Sequence, residues 1–470
     1  MKPTNGLLYL ILFHAILGPL VNFSDLATNF LYHRVKHFAN QSFYSQFGVV
    51  LSDGGLSWLY GAVTASSIFG NLISVFLLAY LMDSLGRKFS VVVIRDVLSL
   101  VGSGLQFGSV PSNCFELLIL GRMLDGAATV IQGASQLFLG ECAPDRYRGA
   151  ASIAVVLGYP LCVVSAAACA IPGVLSTEDR WHYFYLVPVP FTLAHFLFGL
   201  FVPDSPKFLY ITRNDVTRAS TAVRFYHGST ANLHQLFDHY ENEAALAQVQ
   251  RTFPLRAIWK TPHIRKPFNI TFVLYLLPVY GGGFAIVSYG TLILRSFGLS
   301  QTFVMIMAIV LTGIGFMGSV YVSVVFIEKA GRRPILFAGL VLAVICAFSA
   351  CWANVLVSET PHTHRSRLTP ASGFFTAVCV LSAMLITVTG SAGMGNVLLT
   401  EMFPQNARAK VTQGCLFLLF AVATIFAAFY LWKTLPETKN RPVDDIVASW
   451  KESDYDSTPL LSSVPSYSSI

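Results

Sequence analysis

The chain alternates long apolar runs with short polar segments along most of its length. A helix that crosses a lipid bilayer needs about 20 consecutive, predominantly apolar residues. A window of that size predicts eleven membrane spans, at residues 7–27, 56–81, 89–110, 115–139, 151–174, 182–202, 268–294, 303–327, 334–353, 372–399 and 415–432. The first run has no Arg-rich start and no small-residue cleavage site, so we interpret it as a retained helix. The expected fold class is an all-α polytopic membrane protein.

The composition supports this interpretation. Of the 470 residues, 54% are hydrophobic and 12% are charged, which is about half the charge of an ordinary soluble domain. Such a chain is too apolar to be disordered and carries too little charge to cover soluble domains. The eight cysteines form no C-x-x-C pair, and the sequence shows no nucleotide loop or nucleophile–base arrangement, so we expect no metal, cofactor or enzyme activity. The expected partners are a small-molecule solute and the lipid bilayer, not nucleic acid.

Basic residues mark one side of the predicted membrane protein. With the N-terminus and residues 203–265 placed in the cytoplasm, the inner loops hold most of the Lys and Arg, including nine between Lys207 and Lys266. The outer loops hold only Arg34, Lys36, Arg180, Arg295, Arg365 and Arg367. Cytoplasmic loops of membrane proteins carry such an excess of positive charge. Asn40-Gln41-Ser42 then lies in the first outer loop, where Asn40 is a candidate glycosylation site.

Two acidic-to-basic motifs occur twice in the same order. Asp83 to Lys88 recurs 245 residues later at Glu328 to Arg333, and Glu141 to Arg148 recurs 260 residues later at Glu401 to Arg408. A glycine in a tight turn lets two helices approach, and the flanking acid and base can pair across the helix ends. We interpret the motifs as a conformational gate in a duplicated fold of two parallel halves; the alternative is that they are solvated topology signals. The candidate gate residues are Asp83, Gly86, Arg87, Lys88, Glu141, Arg148, Glu328, Gly331, Arg332, Arg333, Glu401 and Arg408.

Several motifs resemble those of the sugar porters of the major facilitator superfamily, the family of the animal glucose transporters. They are Gly121-Arg122, Glu141 to Gly149, Pro203 to Leu209, Gly331 to Pro334 and Pro436 to Lys439. The resemblance implies two six-helix bundles that rock around a central solute site. It divides the chain into an N-terminal bundle (1–202), a cytoplasmic helical segment (203–265), a C-terminal bundle (266–435) and a disordered cytoplasmic tail (436–470).

The positions that would line the solute site differ from those of hexose carriers, which place hydrogen-bonding side chains there. Aligned with the family, the candidate cavity residues are Val156, Val279, Phe284, Tyr289, Phe316 and Asn396. Most of them are apolar, and an unpaired buried hydroxyl costs about 1–3 kcal/mol. We therefore expect weak hexose binding in an otherwise conventional transporter fold.

The second half of the chain is shorter than the first. Arg148 to Pro203 spans 55 residues and holds two predicted helices, whereas Arg408 to Pro436 spans 28 residues and holds one. The second bundle is therefore predicted to lack one helix. Two origins stay open at this point: a splice or gene-model variant, or an odd-numbered topology in which the last span crosses alone or tilts without crossing.

Charged residues inside membrane spans are candidates for function because they are costly in lipid. Asp25 takes the position where proton-coupled sugar porters carry Asp, and Arg122 matches the Arg that pairs with it. The resemblance implies that protonation of Asp25 releases Arg122; the alternative is that Asp25 is solvated at the outer interface. Arg95 lies near the cytoplasmic end and is expected to snorkel toward water. Asp96 and Asp125 have no evident role.

The residues after position 440 are polar and Ser-rich, a composition typical of disorder. Asp456, Leu460 and Leu461 resemble an acidic dileucine sorting signal, which predicts trafficking adaptors as partners. The expected location is the plasma membrane, with endosomal or lysosomal membranes as the alternative. The predicted function is alternating-access transport of a small organic solute, sugar or sugar-like, either facilitative or proton-coupled. The rival hypotheses are a sensor or interaction protein that does not transport, and an inactive splice variant.

Overall fold

The computed structural model describes residues 4–144, 158–229, 231–250 and 299–321, together with the single positions Tyr147, Ala151, Val155, Thr291, Arg295, Ile345 and Val378. All regular elements in these ranges are helical, which confirms the predicted all-α class. In chain order they are α1 (Asn5–Phe30), α2 (Tyr32–Phe47), α3 (Asp53–Ser84), α4 (Phe89–Ser109), α5 (Phe115–Cys142), α6 (Tyr159–Cys169), α7 (Trp181–Leu200), α8 (Pro206–Ile211), α9 (Val216–His227), α10 (Leu233–Gln250) and α11 (Gln301–Tyr321).

Five of these helices, α1, α3, α4, α5 and α7, are long and apolar enough to cross a membrane. They correspond to five of the six spans predicted for the first half. The sixth prediction, 151–174, contains the shorter apolar helix α6, and α11 falls on the predicted span 303–327. Apart from the single positions Thr291, Ile345 and Val378, the remaining predicted spans lie outside the described residues, so the count of eleven stays a prediction.

Alongside an apolar core, the helices bury many polar residues and expose many large apolar ones, a pattern unlike that of a soluble protein. On α4, Ser99, Ser103 and Gln106 are buried, while Val97 and Val101 are each about half exposed. Polar groups inside a bilayer must find partners within the protein, and lipid can cover an apolar surface. The polar face of α4 therefore turns toward its neighbours α5 and α7.

Two glycines bring α3 and α5 into backbone contact. A Cβ atom on Gly70 would lie 1.9 Å from the carbonyl oxygen of Met123, and one on Gly126 would lie 2.0 Å from that of Ser67. Any larger side chain would push the helices apart. Small residues commonly allow such close approach between membrane helices, and here they hold α5 at the centre of the first half.

Helix α1 is not continuous, although the sequence predicted one uninterrupted span at 7–27. The α-helical part ends at Ile16, and the chain continues as 3-10 turns from Gly18 to Leu26. Proline lacks a backbone N–H and clashes with the preceding helical turn, so Pro19 interrupts the α-helical ladder. The break leaves the carbonyl oxygen of Gly18 free to accept a hydrogen bond from Arg95.

The helices α8 and α9 lie against one end of the bundle. The hydroxyl of Thr4, just before α1, donates to the carbonyl oxygen of Tyr226 in α9 at 2.7 Å. Arg213, between α8 and α9, donates to the carbonyl oxygen of Ser84 at the last residue of α3. We call this the α9 end and the opposite end, where α1 reaches Phe30 and α3 begins, the far end.

Candidate functional site

The first acidic-to-basic motif forms an ion-pair cluster at the α9 end. Arg87 donates from Nε to Oε2 of Glu141 at 3.2 Å and from Nη1 to Oδ1 of Asp83 at 3.3 Å. The Arg87 and Glu141 side chains are 16% and 12% exposed, whereas Asp83 is 75% exposed. The mostly buried Arg87–Glu141 pair therefore joins the turn after α3 to the last turn of α5.

Asp204 and Ser205 extend the cluster to the segment after α7. Ser205 donates its hydroxyl to Oε2 of Glu141 at 2.6 Å, and Oδ1 of Asp204 accepts from the backbone N–H groups of Lys88 and Ser205 at 2.9 and 2.7 Å. Burial raises the pKa of the Asp204 carboxyl, and these two N–H groups oppose the rise. Burial also lowers the pKa of Lys88, whose Nζ donates to the carbonyl oxygen of Leu200 at 2.8 Å.

Gly86 makes the turn between α3 and α4 possible. Its φ is +111°, a region that glycine reaches without cost and other residues avoid. A Cβ atom there would lie 2.4 Å from Oδ2 of Asp204 and 2.9 Å from the ring of Phe208. The guanidinium groups of Arg87 and Arg213 lie over the same ring, at 5.0 and 5.6 Å from its centroid, within the range of a cation–π interaction.

The α9-end cluster therefore joins the ends of α3, α5 and α8, and its role as a gate stays a prediction. The sequence supplied Asp83, Gly86, Arg87 and Glu141, but it did not assign Asp204, Ser205 or Phe208 to the gate. The signal for these three was the motif Pro203 to Leu209, which served only as a mark of family resemblance.

Asp25 and Arg122 meet in the middle of the bundle. Oδ1 of Asp25 lies 3.4 Å from Nη2 of Arg122, and Nε of Arg122 donates to the carbonyl oxygen of Val63 in α3 at 2.8 Å. The Arg122 side chain is 2% exposed and that of Asp25 is 26% exposed. The structure thus places the two residues as an ion pair between α1 and α5; their role in proton coupling stays a prediction.

A second carboxyl lies one turn farther along α5. Asp125 is fully buried and its Oδ2 accepts a hydrogen bond from the amide of Gln106 in α4. Its other oxygen, Oδ1, has no hydrogen-bond partner in the described part of the chain. The sequence had identified Asp125 as a charge within a span without assigning it a role.

Arg95 does not snorkel, and that expectation is wrong. Its side chain is fully buried. It forms an ion pair with Asp96 and donates to Gln132 in α5 and to the carbonyl oxygen of Gly18. Partners in the interior replace the water that snorkelling would have reached. The network continues through two histidines: Nδ1 of His195 lies 2.8 Å from Oδ2 of Asp96, and its Nε2 lies 3.2 Å from Nδ1 of His14.

At the far end, residues of the first half contact residues of the second. Oδ1 of Asn29 accepts from the backbone N–H of Thr291 at 2.8 Å, and the amide of Gln301 lies 3.4 Å from both the carbonyl oxygen of Phe30 and the hydroxyl of Ser176. Below these contacts α11 lies along α6, with Met305 buried in the shared apolar core. Described residues of both halves therefore meet at the far end.

Comparison with known families identifies the fold. The family described as "Sugar (and other) transporter" matches residues 11–415. The chain belongs to this sugar transporter family. Among curated proteins, it is 26% identical to facilitated glucose transporter member 4 of solute carrier family 2 from Mus musculus, over 85% of this chain and 81% of that protein. It is 25% identical to member 9 of the same solute carrier family from Mus musculus, over 87% of this chain and 78% of that protein.

Solved structures of the xylose transporter XylE from E. coli have the same fold as this sugar transporter family member. The inward open conformation has a TM-score of 0.62 and 20% sequence identity, covering 94% of this chain and all of that one. A double-tryptophan mutant of XylE gives a TM-score of 0.64 and 19% identity over 95% of this chain. The predicted major facilitator fold is thereby confirmed.

Many of the predicted site residues of this family member lie outside the described residues. These are Arg148, Glu328, Gly331, Arg332, Arg333, Glu401 and Arg408 of the gate, Val156, Val279, Phe284, Tyr289 and Asn396 of the candidate cavity, and Asp456, Leu460 and Leu461 of the sorting signal. Phe316 falls within α11, and nothing further is described of its side chain. The predicted missing helix between Arg408 and Pro436 also lies outside the described residues.

Asn40 lies in a helix rather than in the loop predicted for it. The helix α2 covers Tyr32–Phe47, and Asn40 is half-buried within it. Ser42, the third residue of the glycosylation tripeptide, is fully buried and donates to the carbonyl oxygen of Asn113 at 2.7 Å. Glycosylation at Asn40 stays a prediction.

Proposed function

We propose that this sugar transporter family member moves a small organic solute, sugar or sugar-like, across a membrane by alternating access. The observation that carries the proposal is the contact between the halves at the far end, where Asn29 and Phe30 of the first half bind Thr291 and Gln301 of the second. We interpret this contact, together with the packing of α11 along α6, as the closure of one end, which opens when the halves separate there while the helices of each half stay packed.

The positions of the basic residues indicate which end of the molecule faces the cytoplasm. The α9 end carries Arg87, Lys88 and Arg213, and positive residues concentrate in cytoplasmic loops. The α9 end then faces the cytoplasm and the far end faces outward, so that the described conformation is closed to the outside. Breaking the contacts of Asn29 and Gln301 would open the outer side.

The α9-end cluster would keep the first half rigid during this motion. Arg87, Glu141 and Ser205 join three segments through charge-assisted hydrogen bonds, which are stronger than neutral ones. The Asp25–Arg122 pair lies between the two ends. It links α1 to α5, so protonation at this pair would loosen a contact close to the centre of the bundle.

Reconstitution in liposomes tests the transport proposal. Purified protein is assayed with a panel of labelled sugars, polyols and organic acids, with empty liposomes as the control. Saturable uptake of at least one solute, with hexoses among the weaker ones, is the expected result. Correctly folded protein with no flux for any solute would overturn the proposal and favour the sensor hypothesis.

Proton coupling is tested in the same liposomes. Asp25→Asn removes the titratable group of the Asp25–Arg122 pair, and Asp53→Asn, at the exposed start of α3, is the matched control. A coupled transporter loses the pH dependence of uptake in the first variant and keeps it in the second. Equal pH dependence in all three proteins would exclude Asp25 as the proton-coupling residue.

The membrane of residence is a separate part of the proposal. We place the protein in the plasma membrane, with adaptor recognition of Asp456, Leu460 and Leu461 returning it to endosomes. Substituting alanine for both leucines should raise the surface fraction measured by biotinylation. An unchanged surface fraction would mean that the two leucines are not part of a sorting signal that an adaptor recognises.

A further inference from the structure

Asp25, Arg122 and Asp125 form what we call the central cluster. Their charges do not balance when all three side chains are ionised. Asp25 and Asp125 supply two carboxyls, and Arg122 supplies the one guanidinium near them among the described residues. Arg122 and Asp125 are 2% and 0% exposed, and Asp25 is 26% exposed. If both carboxyls were ionised, the cluster would bury one negative charge without a counterion.

The surroundings of Asp125 offer it no second cation within the described part of the chain. On its own helix it faces Arg122, from α1 it faces Asp25, and from α7 it faces the buried phenol of Tyr185. The α4 side chain against it is the neutral amide of Gln106. From α3 the carbonyl oxygen of Val63 accepts from Arg122, and the neutral hydroxyl of Ser67 faces Asp25. Arg122 is therefore the positive group that both carboxyls must share.

The two oxygens of Asp125 are treated differently by their neighbours. Oδ2 accepts from Gln106, whereas Oδ1 forms no hydrogen bond among the described residues and lies against Gly102, where an added Cβ atom would be 2.7 Å away. The Ser24 hydroxyl, which can donate or accept, is the other polar group that faces this carboxyl. An ionised carboxylate is acceptor-only and needs donors on both oxygens. A protonated carboxyl fits these surroundings better than a carboxylate does, because only one of its oxygens then needs a hydrogen-bond donor.

The nearby Arg95–Asp96 pair shows the balanced case. There one buried guanidinium forms an ion pair with one buried carboxylate, Arg95 also donates to Gln132 and to the carbonyl oxygen of Gly18, and His195 contacts Asp96. Burying an unpaired charge costs more than burying a matched pair. Charge balance in the central cluster therefore calls for a proton or a second cation, and the described residues supply no second cation there.

We propose that Asp25 and Asp125 share a single proton around Arg122. In the described conformation Asp25 is the ionised partner of Arg122, and the proton is on Asp125. When Asp25 takes the proton, Asp125 gives it up and becomes the carboxylate that pairs with Arg122, which lies one helical turn away on the same face of α5. In both arrangements the cluster holds one proton and Arg122 has one ionised carboxylate as its partner, so Arg122 is not left buried without a counterion.

The consequence for transport rests on the proposed function. If α1 moves relative to α5 during the opening of the far end, Asp25 leaves Arg122, and Asp125 replaces it. The shared proton then moves within the protein instead of being exchanged with the medium in that step.

Infrared spectroscopy of the purified protein in detergent tests the shared proton directly. A protonated carboxylic acid has a carbonyl band that is separate from the bands of carboxylate, and the band shifts when the proton is replaced by deuterium. We expect such a band at neutral pH in the wild-type protein. Asp125→Asn should abolish it, and Asp25→Asn should abolish it as well, because the single carboxyl left in either variant pairs with Arg122 and ionises.

Asp96→Asn is the matched control, since it removes a buried carboxyl that has its own guanidinium. The component lost in Asp125→Asn should persist in this control, and Asp125→Glu, which keeps a carboxyl, should retain it also. Absence of the band from the wild-type protein, or its survival in Asp25→Asn, would overturn the shared proton. Because the measurement needs no solute, a band without any uptake would leave this proposal standing while the transport proposal failed.

Discussion

At the scale of single residues, Gly86 is the position where the backbone itself limits substitution. Its φ of +111° and the contacts of its would-be Cβ with Asp204 and Phe208 predict that Gly86→Ala destabilises the protein. A non-glycine residue held in such a conformation costs on the order of 1–3 kcal/mol. The thermal unfolding midpoint in detergent measures this loss.

Gly104→Ala provides the matched control for Gly86→Ala. Gly104 lies within α4, and nothing lies within 4 Å of a Cβ added there. Alanine in a helix interior is favoured over glycine by about 1 kcal/mol, so this variant should unfold at the same temperature or higher. Equal destabilisation of the two variants would contradict the role assigned to the turn.

Asp204 should give the stability of the protein a pH dependence of definite sign. Burial raises its pKa above that of the unfolded chain, so the folded protein holds the proton more tightly. The stability that this provides is present below the unfolded pKa of about 3.9 and is lost as the pH rises through the folded value. Asp204→Asn removes the titration while keeping an oxygen that accepts from Lys88 and Ser205.

The measurement for Asp204 is a comparison of midpoints across pH. The unfolding midpoint of Asp204→Asn relative to wild type should increase between roughly pH 4 and 6, the range just above the ordinary pKa of aspartate. Parallel curves for the two proteins would show that Asp204 does not titrate differently in the folded state.

Sequence reasoning recognised the charged residues in the spans but not all their partners. Asp25 and Arg122 were paired through family resemblance, whereas Arg95 was expected to reach water. Its actual network includes His14 and His195, which are 181 residues apart. No local pattern indicates that such distant residues meet, because their contact depends on how α1, α4 and α7 are arranged.

At the scale of helices, the Arg87–Glu141 pair should couple α3 to α5 measurably. A double-mutant cycle with Arg87→Gln, Glu141→Gln and the double variant isolates the pairwise energy. Because both side chains are mostly buried, we expect a coupling of about 1–2 kcal/mol in detergent unfolding. A coupling indistinguishable from zero would reduce the motif to a topology signal.

The Arg34–Glu178 pair is the control for that cycle. Its atoms are only 2.6 Å apart, but Glu178 is 82% exposed. Exposed ion pairs contribute roughly 0–1 kcal/mol and are screened by salt. The coupling at Arg34–Glu178 should therefore be smaller than that at Arg87–Glu141 and should fall further as the ionic strength rises.

The helices themselves were predictable to different degrees. The long spans were found because about twenty apolar residues in a row match the thickness of a bilayer and exceed the length of most buried helices in soluble proteins. The helix α2 was missed because its polar composition is typical of a loop, although Val35, Phe38 and Ala39 are buried at helical spacing. The interruption of α1 was missed because a window of average hydropathy does not register Pro19.

At the scale of the molecule, the duplicated motifs predicted two parallel halves, and the resemblance of several motifs to those of sugar porters predicted the family. A motif that recurs with the same charges, glycine and spacing restricts the arrangement of both halves of the chain at once. The solute could not be identified in the same way, since most of the candidate cavity lies outside the described residues and its side chains are apolar. Recognition by shape leaves a weaker pattern in a sequence than recognition by hydrogen bonds.

The far-end contacts predict how the whole molecule responds to a single change. Asn29→Ala removes the acceptor for the Thr291 N–H and so weakens the closed state relative to an open one. One hydrogen bond contributes about 0.5–1.5 kcal/mol, which changes the ratio of the two states by about 2- to 10-fold. A cysteine at position 291 reports the change, because Thr291 is 4% exposed in the closed state and keeps its backbone N–H when its side chain is replaced.

The assay uses a background in which the native cysteines are serine. A membrane-impermeant maleimide added from outside should label Thr291→Cys several-fold faster when Asn29 is alanine. Asn22→Ala is the control on the same helix, since the Asn22 side chain donates only to the nearby carbonyl oxygen of Pro19 among the described contacts and should leave the rate unchanged. Equal rates with and without Asn29→Ala would mean that the closure does not depend on this contact, and faster labelling from the cytoplasmic side alone would reverse the orientation assigned to the two ends.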